Sequence, residues 1–151
     1  MRKSRQARIS VRDAALRLLA NREHSSFELR NKLVQRGYGQ EEIEAAIQCL
    51  QQESLLSDER FAEAYVYYRK QRGYGPARIR LELKERGVES VLIDQYLDQD
   101  DPAWIEMMEY QRQKKFGGSP AQDYNAQVKQ ARFLQQRGFL PSQIMKIIDY
   151  S

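Results

Sequence analysis

Candidates for an activated catalytic group with partners are scarce. His24 is the only histidine and Cys49 the only cysteine in 151 residues. A histidine-based triad or dyad and a multi-histidine metal site are thereby excluded. His24 stands in Asn21-Arg22-Glu23-His24-Ser25, between two helical patterns, where an exposed loop imidazole is expected. Cys49 lies in Ala45-Ala46-Ile47-Gln48-Cys49-Leu50, which suits a buried apolar helix position rather than a reactive thiol. One cysteine permits no internal disulfide. Gly73-Tyr74-Gly75-Pro76 lacks the lysine and the preceding strand of a phosphate loop. Glu41-Glu42-Ile43-Glu44 reads as a solvated first helical turn rather than a metal site. No catalytic residue, metal or cofactor is expected, and the chain reads as a non-enzyme.

The chemistry that is present is that of a surface. From Tyr65 to Lys84 aromatic and cationic side chains interleave: Tyr65, Tyr67, Tyr68, Arg69, Lys70, Arg72, Tyr74, Arg78, Arg80 and Lys84. Such mixtures line nucleic-acid surfaces, where rings stack on bases and cations meet phosphates. On a helical wheel Phe61, Tyr65, Tyr68 and the stem of Arg72 share one face, read as core, while Tyr67, Lys70 and Gln71 point elsewhere. On the next helix Ile79 and Leu83 face inward, and Arg80 and Lys84 form an i, i+4 basic pair on a flank. A solvated face with snorkelling arginines is the competing reading. The segment is taken here as a surface for a polyanion.

The elements that hold this segment come from a repeat. Leu33, Leu83 and Leu134 each precede an Arg-Gly pair at the same distance: Arg36-Gly37, Arg86-Gly87 and Arg137-Gly138. Beyond each pair comes an apolar i, i+4 couple, Ile43 and Ile47, Ile93 and Leu97, Ile144 and Ile148, on one helical face. Before each pair lies a further helical pattern: Ala15, Leu16, Leu18 and Leu19; Phe61, Ala62, Tyr65 and Tyr68; Trp104, Ile105, Met107, Met108 and Tyr110. No stretch alternates with the period of a strand. The spacing predicts an all-α protein of three tandem three-helix repeats, stacked into an elongated, curved array.

Local punctuation agrees. Ser25-Ser26-Phe27-Glu28 is a capping box, Ser57 caps a helix that opens with two acids, and Pro76 and Pro102 open helices. Gly37, Gly87 and Gly138 suit the left-handed residue just past a helix end, with Arg36, Arg86 and Arg137 as cations at the negative dipole end. A loop is expected over Lys114–Asp123. The repeats are bounded as 12–57, 58–98 and 99–151, after a basic arm at 1–11. The net charge is +4. Arg2, Lys3, Arg5 and Arg8 supply all of it, because the remaining 21 cations balance the 21 acids. The arm, Met1–Ile9 in particular, reads as disordered, with a plain solvated terminus as the alternative. No apolar run approaches a membrane span and no signal-peptide core follows the basic start, so a cytoplasmic location is expected.

At these residues the chain resembles the RecX family of bacterial recombination regulators. The resemblance rests on Ala14–Ala20 with Ser25–Leu29, on Leu55-Leu56-Ser57-Asp58-Glu59-Arg60-Phe61-Ala62, on Gly73-Tyr74-Gly75-Pro76-Ala77-Arg78-Ile79, and on Phe133–Phe139. Ser57 departs from the family, which often has a second acid there, and the third unit matches more loosely before residue 131. The resemblance implies a monomeric cytoplasmic protein that binds the RecA recombinase, chiefly as its filament on single-stranded DNA. It would restrain ATP hydrolysis, strand exchange and coprotease activity, with DNA bound weakly or through the filament. Tyr67, Lys70, Arg72, Arg78, Arg80 and Lys84 are the candidate contacts with filament or DNA. A helix-turn-helix-like regulator of duplex DNA and a helical-repeat protein adaptor are the alternatives.

Overall fold

A computed structural model describes residues 8–148. Within them the chain is helical throughout, without a strand. The first unit is α1 (Val11–Asn21), α2 (Ser26–Gln35) and α3 (Gln40–Gln52). The second is α4 (Asp58–Gln71), α5 (Pro76–Glu85) and α6 (Ser90–Tyr96). The third is α7 (Ala103–Phe116), α8 (Tyr124–Arg137) and α9 (Pro141–Ile144). None of these helices is long and apolar enough to cross a membrane.

Caps set the boundaries. The Ser25 hydroxyl accepts from the Glu28 N–H at 3.0 Å, and the Glu28 carboxylate accepts from the Ser25 N–H at 3.2 Å. Ser57 and Asp123 cap α4 and α8 in the same way, accepting from the Arg60 and Ala126 N–H groups. Gly37, Gly87 and Gly138 end the second helices at φ of 90°, 78° and 103°, the left-handed region open to glycine.

All three apolar couples are buried, and the described residues form two cores. Unit 1 packs around Ala15, Leu29, Leu33, Ile43, Ile47 and Leu50. Units 2 and 3 share one core that runs from Phe61, Ile79 and Leu83 through Trp104 and Met108 to Leu134, Phe139 and Ile144. Trp104 and Phe139 meet edge to face there, with ring centroids 6.4 Å apart. Unit 1 is joined to this body by polar contacts. Ser26 donates to Asp58 Oδ1 from its N–H at 2.7 Å and from its hydroxyl at 3.1 Å. Ser25 Oγ donates to the Arg86 carbonyl at 2.7 Å, and Arg60 pairs with Glu23 at 3.0 Å.

Several expectations are corrected. Cys49 is exposed, because the buried face of α3 follows Ile43, Ala46, Ile47 and Leu50 and the thiol lies off that face. His24 is buried, with Nδ1 3.1 Å from the Arg22 carbonyl and Nε2 3.2 Å from the Lys32 ammonium. Tyr68 and Tyr110 are exposed, at 64% and 63%. Of the arm at 1–11, residues 1–7 lie outside the described residues. Arg8 stacks on the Tyr38 ring, and Ile9 packs on the unit 1 core and accepts from the Tyr38 hydroxyl.

Candidate nucleic-acid interface

Between Glu63 and Glu82 the chain carries five cations and no carboxylate. The fold sorts those cations by face. On α4 the buried side runs through Phe61, Ala62 and Val66, further round than the wheel reading placed it. This turns Arg69 inward and Tyr68 outward. An inward arginine is tolerable only when paired, and Arg69 grips Glu82 with two bonds of 2.9 Å. Tyr65 donates to the same carboxylate at 2.9 Å and Arg78 at 3.1 Å. Burial would raise the Glu82 pKa, but these donors and the Arg69 charge outweigh it and hold the carboxyl below its usual range. Burial first, and then the bond to Glu82, push the Tyr65 phenol up to about 12.

Tyr74 is the second organiser. The guanidiniums of Arg69, Arg78 and Arg137 lie 3.9, 4.4 and 4.7 Å from its ring centroid. Arg78 also donates to the Gln136 carbonyl at 3.2 Å, and Arg137 to Gln111 Oε1 at 3.0 Å. The cluster therefore spans the seam between units 2 and 3. Glu82 alone of the described carboxylates pairs with Arg69 and Arg78, so the locality stays strongly positive.

The six candidate residues fall into three sets. Tyr67, Lys70 and Arg72 belong to the outer side and end of α4. Tyr67 is 58% exposed and meets Tyr68 edge-on at 5.5 Å. Lys70 lies over the Trp104 ring at 4.7 Å, and Arg72 is exposed where α4 ends. Arg78 is part of the Tyr74 cluster. Arg80 and Lys84 lie on the opposite flank of α5, because residues two apart are rotated by about 200°. There Arg80 pairs with the exposed Asp94 at 2.8 Å, whereas Lys84 has no carboxylate partner among the described residues. Arg78 and Arg80 thus do not act on one face, and Arg72 does not lend its stem to the core.

Tyr68, Arg69 and Tyr74 lie in the interleaved segment but are not among the six candidate contacts, and neither are Glu82 and Arg137. Glu82 carried a signal, as the first acid after a long cationic run. Arg137 carried none, since its role comes from a ring 63 residues away. Among the described residues no group of three or more His, Cys, Asp or Glu side chains is placed to hold a metal ion.

Family models for the first, second and third three-helix domains of RecX match residues 12–50, 57–97 and 105–148. The Regulatory protein RecX of Halorhodospira halophila is 42% identical over 135 residues, 89% of this chain and 84% of that one. The protein of the same name from Pseudomonas entomophila is 44% identical over 140 residues, covering 93% and 90%. In fold, the crystal structure of RecX from Lactobacillus salivarius superposes with a TM-score of 0.79 at 24% identity, covering 91% of this chain and 92% of that one. Three domain matches in register, with curated relatives above 40% identity over most of their length, place the chain in the RecX family of regulatory proteins.

Proposed function

We propose that the protein binds the RecA recombinase, chiefly as its filament on single-stranded DNA, and restrains ATP hydrolysis, strand exchange and coprotease activity. The role is regulatory rather than catalytic and belongs to recombinational DNA repair and the SOS response in the cytoplasm. One observation carries the reading: relatives named Regulatory protein RecX match this chain at 42% and 44% identity over most of its length. The surface of unit 2 supports it. Lys70, Arg72 and Lys84 offer charge to phosphates, and Tyr67 with Tyr68 offers rings to bases or to apolar side chains. Arg78 and Arg80 add charge from positions already tied to Glu82 and Asp94. Free DNA is held weakly, and firmly only with the filament.

The test is RecA's DNA-dependent ATPase. The protein is expected to suppress hydrolysis well below one copy per RecA subunit. A Lys70→Ala, Arg80→Ala, Lys84→Ala variant should inhibit less and bind with a flatter salt dependence, by roughly 0.7 in slope per lost phosphate contact. Unchanged hydrolysis at a molar excess of wild type would defeat the reading. Salt-dependent binding to duplex DNA without RecA would favour a helix-turn-helix-like regulator instead.

A further inference from the structure

The Arg-Gly ends of the three second helices are alike in backbone and unlike in company. The ends at Gly87 and Gly138 are each seated on the first turn of the preceding unit's second helix. Ser25 Oγ donates to the Arg86 carbonyl at 2.7 Å. The Gly75 and Ala77 N–H groups donate to the Arg137 and Gly138 carbonyls at 2.8 and 2.9 Å. Both seats exclude a side chain at the glycine: a Cβ there would fall 2.4 Å from the Cβ of Phe27, or 2.3 Å from that of Arg78.

Among the described residues no helix is seated at Arg36-Gly37. Both residues are exposed. Among the described residues a Cβ at Gly37 would meet only the Arg8 guanidinium, 3.5–3.9 Å away. That guanidinium lies 4.1 Å from the Tyr38 ring centroid, beside a cleft of about 440 Å³. Arg8 thus stands where the two internal joints place the first turn of a helix.

The chain also holds the complementary half. The N-termini of α2 and α5 each receive the Arg-Gly end of the next unit, and that of α8 receives none among the described residues. Counted from its glycine, α8 starts 14 residues upstream where α2 and α5 start 11, so it extends nearly one turn further at this end. It presents Asp123 as its cap and Tyr124 at 65% exposure. The charges match. An acid and the positive dipole end lie on one side, with Arg36, Arg8 and the negative dipole end on the other, as Glu28 faces Arg86 at 3.6 Å in the first joint.

We propose that the Arg36-Gly37 end of one copy takes the N-terminal turn of α8 from a second copy. Copies then join head to tail by the kind of joint that links units within the chain, and Arg8 plugs the end in the isolated monomer. Such a contact is heterologous, and because its two halves stand at opposite ends of the line of α2, α5 and α8 it extends open chains rather than closing a dimer.

Sedimentation velocity over a hundredfold concentration range tests this with the full chain. Arg8→Ala should show a sedimentation coefficient that climbs without a plateau, with association at least tenfold tighter than wild type. A chain lacking residues 1–8 should behave alike. Adding Gly37→Asn to Arg8→Ala should abolish the climb. Asparagine tolerates positive φ, and its Cβ fits the isolated monomer but not a seated joint. An unchanged melting temperature shows that this variant folds. The proposal is overturned if both unplugged chains stay monomeric, if association survives Gly37→Asn, or if it stops at a dimer.

Discussion

His24 sets the direction of the response to acid. A neutral ring satisfies both its neighbours, donating from Nδ1 to the Arg22 carbonyl and accepting at Nε2 from the Lys32 ammonium. Burial first, with the charges of Arg22 and Lys32, holds its pKa below the usual 6.5, against the pull of the Arg22 carbonyl and Glu28. The unfolded chain then binds a proton that the folded chain resists. Stability should fall as pH drops through about 6.5, and the loss should level off once the lower folded value is passed. Urea midpoints at successive pH values check this against His24→Asn, which keeps a donor toward Arg22 and lacks the titration. A wild type as flat as the variant down to pH 5.5 would show that the imidazole is not held neutral. The burial of His24 was not legible in the sequence. Its surroundings come from the joint with unit 2, where its neighbours Ser25 and Ser26 bind Arg86 and Asp58. The caps at Ser25, Ser57 and Asp123 involve residues within three positions, as do the helix-end glycines. The caps at Ser25 and Ser57 and the three glycines could be read directly. In the candidate site, the exposure of Tyr67 and the flank shared by Arg80 and Lys84 followed from helical phase alone. The inward turn of Arg69 did not, because it depends on Glu82 and Tyr74 from the next helix and its approach.

Between elements, a polar joint and an apolar seam divide the work of holding the units. The seam between units 2 and 3 is a shared core, so opening it exposes Trp104 and Phe139 to water at about 25 cal/mol per Å². The joint between units 1 and 2 turns on Asp58, which accepts twice from Ser26. Asp58→Ala leaves the buried Ser26 groups without that acceptor, an expected cost of about 1–3 kcal/mol. The loss should be local. Hydrogen exchange should quicken at the first turn of α2 and leave the protected amides of α5 and α8 unchanged. Uniform quickening across all three units would mean that the molecule opens as one body. The sequence repeat foretold three like units. It did not foretell this inequality, because the i, i+4 couples mark each unit's inward face without saying which neighbour covers it.

Over the whole molecule, α2, α5 and α8 meet end to end through their helix termini. Their residues alone would span about 50 Å if laid in line, at 1.5 Å each. A compact globule of this length has a radius of gyration near 15 Å. Small-angle scattering should therefore give a distinctly larger value, with a pair-distance distribution tailing to long vectors. A symmetric distribution at the compact value would show that the units fold back on one another. Trp104 offers a consequence of a different kind. It is the only tryptophan in the chain, it lies in the seam between units 2 and 3, and Lys70 stands 4.7 Å from its ring centroid. Its fluorescence is thus an intrinsic reporter wired to one part of the molecule. A partner that draws Lys70 away removes a cation from the face of the indole and shifts its emission, with no label attached. Detachment of unit 1 leaves the same emission silent, so one spectrum distinguishes engagement of the central surface from loosening of the first unit.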